Sequence, residues 1–218
     1  MHLTYAEMKL NNYDAIAGNY DMLSRMVFFK SQVSAQAEQL VYIPSGSKVL
    51  IVGGGTGWIL ESLKNMHSAG LTITYVEISK KMIHLAAKRN IGRNKITMIN
   101  SPIEDFIDDY SYDVVMTAFL FDNFKEQRIQ QVFSKLHHVL KPEGLWLFSD
   151  FHNPKAQGKF WQRLMLKTMY YFFGKIAHVE ATELTDMQPK FEAKNYKPLV
   201  AKTYYKGFIK AIVYQKPA

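Results

Sequence analysis

Two rhythms divide the chain. Through residue 43, apolar side chains such as Met22, Met26 and Phe29 recur at the spacing of a helix face, which predicts an N-terminal helical segment. From Lys48 the pattern changes to short β-branched runs separated by helical stretches. SKVLIVG, LTITYVE, KITMIN, YDVVMTAFL and LWLFSDF read as five strands. Between them, Trp58 to Met66, KKMIHLAAKRN and FKEQRIQQVFSKLHHVL read as helices, the second capped by Ser79 and the third ending before a turn at Lys141-Pro142-Glu143-Gly144. After Gly158 another helical stretch runs to Phe173. The chain closes with KPLVAKTYY and FIKAIVYQK, separated by a tight reversal at Lys206-Gly207 that predicts an antiparallel pair.

This alternation predicts an α/β fold: a Rossmann-like, doubly wound, mostly parallel sheet with a final antiparallel strand and N-terminal helices. Right-handed crossovers would bring the C-terminal ends of the parallel strands to one edge, where ligands bind in such sheets. With no internal repeat or Pro/Gly-rich linker, residues 1–218 are expected to form a single domain. Its parts are a helical cap over 1–43, a core over 44–151, and a helix with the final strand pair over 152–218.

Composition narrows the chemistry. The 218 residues include no cysteine, which removes disulfides, thiolate metal sites and cysteine nucleophiles; no metal site is expected. Neither a signal peptide nor an apolar run of the ~20 residues that span a bilayer is visible, so a cytoplasmic location is expected. The net charge of +8 is uneven: it is +1 through Leu140 and +7 from Lys141 onward. A basic C-terminal third favours anionic partners or forms a solvated lysine-rich surface. No recognised RNA module accompanies it, and no nucleic-acid partner is expected.

The first strand runs into Gly53, Gly54, Gly55, Thr56 and Gly57, a turn that lets backbone approach a ligand. Glu77 follows Gly57 by 20 residues, at the end of the second strand, where a carboxylate can accept both ribose hydroxyls of an adenosine. A dinucleotide fingerprint would place its third glycine where Trp58 stands, and an indole cannot replace that packing glycine. The turn therefore suits a nucleoside lacking a pyrophosphate.

These features resemble the class I methyltransferases that use S-adenosylmethionine. VLIVGGGTG looks like the family's first motif, and YVEIS like its second strand, with Ile78 beside the adenine. MINSPIEDF is similar to the third-strand segment, which would bring Ile103 and Glu104 to the adenine edge. YDVVMTAFLF looks like the fourth-strand motif and would place Ala118 at the cofactor; VLKPEGLWLFSD resembles the fifth. The opening NNYDAIAGNYDML is similar to the N-terminal helix of small-molecule members, including those that methylate quinone precursors. The resemblance implies S-adenosylmethionine as cofactor and a small, apolar or aromatic acceptor. Two positions depart from the family pattern: Ile51 stands where an acidic residue is usual, and Pro102 where an aspartate is usual. The alternatives are an NAD-dependent oxidoreductase, a methyltransferase-like scaffold without turnover, and an aminopropyltransferase. The last needs an acidic motif after the fourth strand, where Asp122 is the sole carboxylate nearby.

Methyl transfer from an activated sulfonium needs alignment above all, and a base only where the acceptor keeps its proton. Asp150 and His152, at the end of the fifth strand, are the catalytic candidates; they could equally orient a loop and sit in solvent. His84, His137 and His138 fall on helices and read as structural. Tyr13 and Tyr20 could cover the cofactor or pack the first helix. FWQRLMLKTMYYFFGK reads first as a core helix; it could also wall an apolar pocket through Trp161 and Phe172, or give residues 158–175 a peripheral contact with an anionic membrane.

Overall fold

A computed structural model describes residues 14, 17–18, 30–107, 111–152, 160–176 and 180–218. Its seven strands are β1 (Lys48–Val52), β2 (Ala69–Glu77), β3 (Arg93–Asn100), β4 (Tyr112–Ala118), β5 (Leu140–Phe151), β6 (Lys197–Tyr204) and β7 (Ile209–Gln215). The helices are α1 (Ser31–Ala37), α2 (Trp58–Met66), α3 (Lys80–Ala86), α4 (Glu126–Val139), α5 (Phe160–Ile176) and α6 (Gln188–Ala193). All seven strands join one sheet in the order β3-β2-β1-β4-β5-β7-β6. Pairings from β3 through β5 are parallel, whereas β7 runs antiparallel to both β5 and β6. The order reverses at β1 and β4, and that switch point places their C-terminal ends beside an open crevice.

Helices cover the sheet through apolar faces. From α2, Ile59, Leu60 and Leu63 are buried against the same cluster as Val49 and Ile51. From α4, Ile129, Val132, Phe133 and Leu136 pack on the opposite cluster, where Trp146 is fully buried and stacks on Phe133 at 5.1 Å. α1 is tied to β5 by polar contacts. The Gln39 amide donates to the Phe148 carbonyl (3.0 Å), and the Ser149 hydroxyl donates to Gln39 Oε1 (2.9 Å).

Several expected elements shift. The KPEG turn lies within β5, with Glu143 at φ 60° absorbing an irregularity in the pairing with β4. The second crossover helix is shorter, ending at Ala86, but Ser79 caps it as expected by accepting the Met82 N–H at 3.2 Å. Gly70 sits inside β2 rather than before it. The final reversal is made by Tyr205, Lys206 and Gly207, all at positive φ. Short α6 has no counterpart in the sequence reading. The helical segment expected through residue 43 lies mostly outside the described residues, as do Tyr13 and Tyr20.

Candidate active site

β1 ends in a turn that only glycines can make. Gly53, Gly55 and Gly57 have φ of 66°, 62° and 76°, in the left-handed region that side chains resist. Two of the four glycines are also fixed by close packing. A Cβ on Gly54 would come within 2.5 Å of the Tyr75 ring, and one on Gly57 would lie 2.6 Å from the Ala86 methyl. The Tyr75 hydroxyl donates to the Gly55 carbonyl at 2.9 Å, so β2 holds the turn in shape.

Glu77 ends β2 beside this turn and is 4% exposed. Its Oε2 accepts the Gly55 N–H (3.0 Å) and its Oε1 accepts the Ser79 N–H (2.8 Å). Burial raises its pKa, while the backbone donors act in the opposite direction. The Ile78 N–H also acts on this carboxylate, which keeps acceptor capacity for a further hydroxyl. Asp14 reaches the same corner, accepting the Ser79 hydroxyl and the Lys81 N–H.

Together these residues line a cleft at the C-terminal edge of β1, β2 and β4, with about 1080 Å³ of space open to solvent. Gly53, Gly54, Gly55, Thr56, Glu77, Ile78, Ile103 and Ala118 all border it, as does Pro102. Gly57 and Glu104 do not. Gly57 is buried against α3, and Glu104 turns to Arg128 in a paired, bidentate contact. Ile51 is 2% exposed in the core under α2. The cleft fits a nucleoside with an attached amino-acid chain: a backbone cradle that a Cβ would fill, a buried carboxylate, and an apolar slot at Ile78 and Ile103.

Several lining groups have no counterpart among the sequence-based candidates, among them polar side chains carried by elements around the cleft. Gln32 and Gln36 enter from α1, Asn123 from the turn after β4, and Arg128 from α4. Arg128 is nearly buried, pairs with Glu104 and Glu180, and lies 4.1 Å over the Phe124 ring. No local motif announces it, since its partners stand 24 and 52 residues away.

The catalytic candidates lie elsewhere. Asp150 is 3% exposed on β5; its Oδ1 accepts the Phe151 N–H, and its Oδ2 has no hydrogen-bond partner. Burial and the neighbouring Asp122 raise its pKa well above the usual carboxylate range. His152 borders a separate groove with Asp186 and Lys210; burial and Lys210 lower its pKa. Neither borders the cleft. His137 bonds the Tyr196 hydroxyl at 3.0 Å, and His84 and His138 are exposed.

Comparison with known proteins agrees with this geometry. Residues 49–144 match the methyltransferase domain family. The ubiquinone/menaquinone biosynthesis C-methyltransferase of Geotalea uraniireducens is 26% identical over 168 residues, 74% of this chain and 67% of that protein. The demethylmenaquinone methyltransferase of Thermotoga maritima is 29% identical over 167 residues, 74% of this chain and 70% of that protein. The fold superposes on the putative methyltransferase solved with the Haloferax volcanii Trm112 activator at a TM-score of 0.68, with 13% identity over 96% of this chain and 99% of that one. With residues 49–144 matched as a methyltransferase domain, the glycine turn facing Glu77 and the sheet order make the chain similar to the class I S-adenosylmethionine-dependent methyltransferases, including relatives named for quinone biosynthesis.

Proposed function

We propose that the protein methylates a small, apolar aromatic acceptor of the quinone-precursor kind. The observation that carries this reading is the make-up of the cleft. The glycine turn facing Glu77 and the apolar side chains Phe119, Leu120 and Phe124 border one cleft. The named activities of the quinone-biosynthesis relatives point the same way.

S-adenosylmethionine supplies an electrophilic methyl group when bound. The chain's part is to hold and align: Glu77 would accept the ribose hydroxyls, the Gly53–Gly55 backbone would border the methionyl part, and Ile78 and Ile103 would hold the adenine. Asn123 fixes the wall after β4 by donating to the Phe119 carbonyl (2.9 Å) and to Asp122 Oδ1 (2.8 Å). Among the described lining residues the charged side chains are Glu77 and Arg128, both already engaged, so alignment rather than a side-chain base supplies the rate. The base role for Asp150 or His152 remains a second reading that needs the acceptor to reach the end of β5.

The test is a screen of quinols, phenols and amines with a labelled methyl donor. Transfer to an aromatic carbon or oxygen supports the proposal; transfer confined to polar amines contradicts it. Once an acceptor is found, Asp150→Asn and His152→Ala should keep turnover within about tenfold, whereas loss of a positioned base costs ~100-fold or more.

A further inference from the structure

The segment after β5 read as either a core helix or a surface one, and the structure makes it both. At about 100° per residue, α5 presents Gln162, Met165, Leu166 and Met169 to one side. Gln162 and Leu166 are buried, and Met165 and Met169 pack on a cluster with Phe119, Phe151 and Phe208. The opposite side carries Phe160, Leu164, Lys167 and Tyr171, within about 60° of one another. These large side chains face outward: Phe160 is 81% exposed, Leu164 56% and Tyr171 67%, with Lys167 exposed among them.

An apolar stripe left in water at this density calls for a partner, since lone exposed apolar residues are ordinary but aligned ones are not. Its chemistry selects which one. From Phe151 to Val179 the sequence has five basic residues, Lys155, Lys159, Arg163, Lys167 and Lys175, and no acidic residue. Aromatic and leucine side chains with Lys167 among them on one helix face, in a segment of basic excess, suit the boundary between lipid headgroups and acyl chains, where the charge meets anionic lipid. A protein groove would have to carry acids matched to this segment, whereas an anionic bilayer meets its basic excess without a matched partner. No described helix is long and apolar enough to cross a membrane, so the contact is one of lying on the surface.

We infer that the outer face of α5 docks on an anionic lipid bilayer. The inner face of the same helix packs with Phe119, which borders the cleft, so one element links the lipid surface to the site. This extends the reading of an apolar acceptor, because such a molecule partitions into lipid, but the docking stands on the helix alone.

The experiment is vesicle co-sedimentation of the full chain, with mixed phosphatidylglycerol–phosphatidylcholine vesicles against phosphatidylcholine alone. S-adenosylhomocysteine binding is measured separately on the same preparations. The wild type is expected to pellet with the anionic vesicles and to be weakened by salt, which shortens the Debye length from ~10 Å at 0.1 M to ~3 Å at 1 M. Phe160→Ser/Leu164→Ser is expected to lower the bound fraction roughly tenfold or more. Lys167→Glu is expected to weaken binding to the anionic vesicles alone. Both variants should keep the wild-type melting temperature and S-adenosylhomocysteine affinity. Absence of pelleting, equal pelleting of wild type and double variant, or a wild-type dimer that the double variant dissolves would overturn the inference. Vesicle binding without S-adenosylhomocysteine binding would leave it standing and remove the proposed function instead.

Discussion

Glu77 shows how much one side chain can be asked to do. It closes the turn through the Gly55 N–H, holds the start of the next segment through the Ser79 N–H, and is also acted on by the Ile78 N–H. Replacement by alanine would remove the proposed ribose contact and also loosen the turn, so Glu77→Gln is the cleaner variant. It should weaken S-adenosylhomocysteine binding by ~1.5–3 kcal/mol, the scale of a hydrogen bond to a charged group. Calorimetry reads the affinity, and a melting curve shows that the fold persists. Gly57 makes a separate prediction. Its left-handed φ and the 2.7 Å approach of a Cβ to the Ala86 Cα mean that Gly57→Ala should cost about 1–3 kcal/mol, read from urea unfolding.

At the scale of elements, buried charge decides what holds the cleft walls. Arg128 joins α4 to the segment after β3 through Glu104 and to the chain before α6 through Glu180. Arg128→Ala would strand Glu104, whose side chain is 5% exposed, and should cost about 3–5 kcal/mol in chemical unfolding. The ends of β4 and β5 carry a second arrangement. Half-buried Asp122, which accepts from the Asn123 amide, acts on buried Asp150; the Tyr170 hydroxyl feels both and has no hydrogen-bond partner, and Glu183 adds further negative charge. Burial pushes Asp122 up to about 7. A carboxyl whose folded pKa is raised holds its proton more tightly when native, so its contribution is present at low pH and is lost as pH rises. The window runs from about 4, its unfolded value, to about 7. Relative to wild type, Asp122→Asn should flatten the decline in melting temperature between pH 4 and 7; identical slopes would show that the pair does not titrate there.

At the scale of the whole molecule, the sheet was legible because strand alternation and β-branched runs are local signals. Val49 to Val52 and Leu71 to Val76 could hardly read otherwise. The glycine turn and Glu77 were equally plain, since the constraint sits in consecutive residues or at a known interval. Arg128 and Gln32 were not legible, because their place in the cleft depends on how α4 and α1 land on the sheet. Asp150 was assigned by strand position, which says nothing about which face a side chain takes. The structure puts it inside, against Asp122, although both come from strand ends at the same edge. Glu104 was carried over from a family pattern and turned instead to a buried arginine. Local turn and strand signals were legible; long-range pairings such as Arg128 with Glu104 were not.

One binding event carries the cofactor assignment. Titration calorimetry of the wild-type protein with S-adenosylhomocysteine and, separately, with NAD tests it most directly, with Glu77→Gln as the internal control. The expected result is saturable one-to-one binding of S-adenosylhomocysteine, weakened roughly 10- to 100-fold in the variant, and no heat from NAD. Binding of NAD with no response to S-adenosylhomocysteine, or an affinity for S-adenosylhomocysteine that Glu77→Gln leaves unchanged, would contradict it.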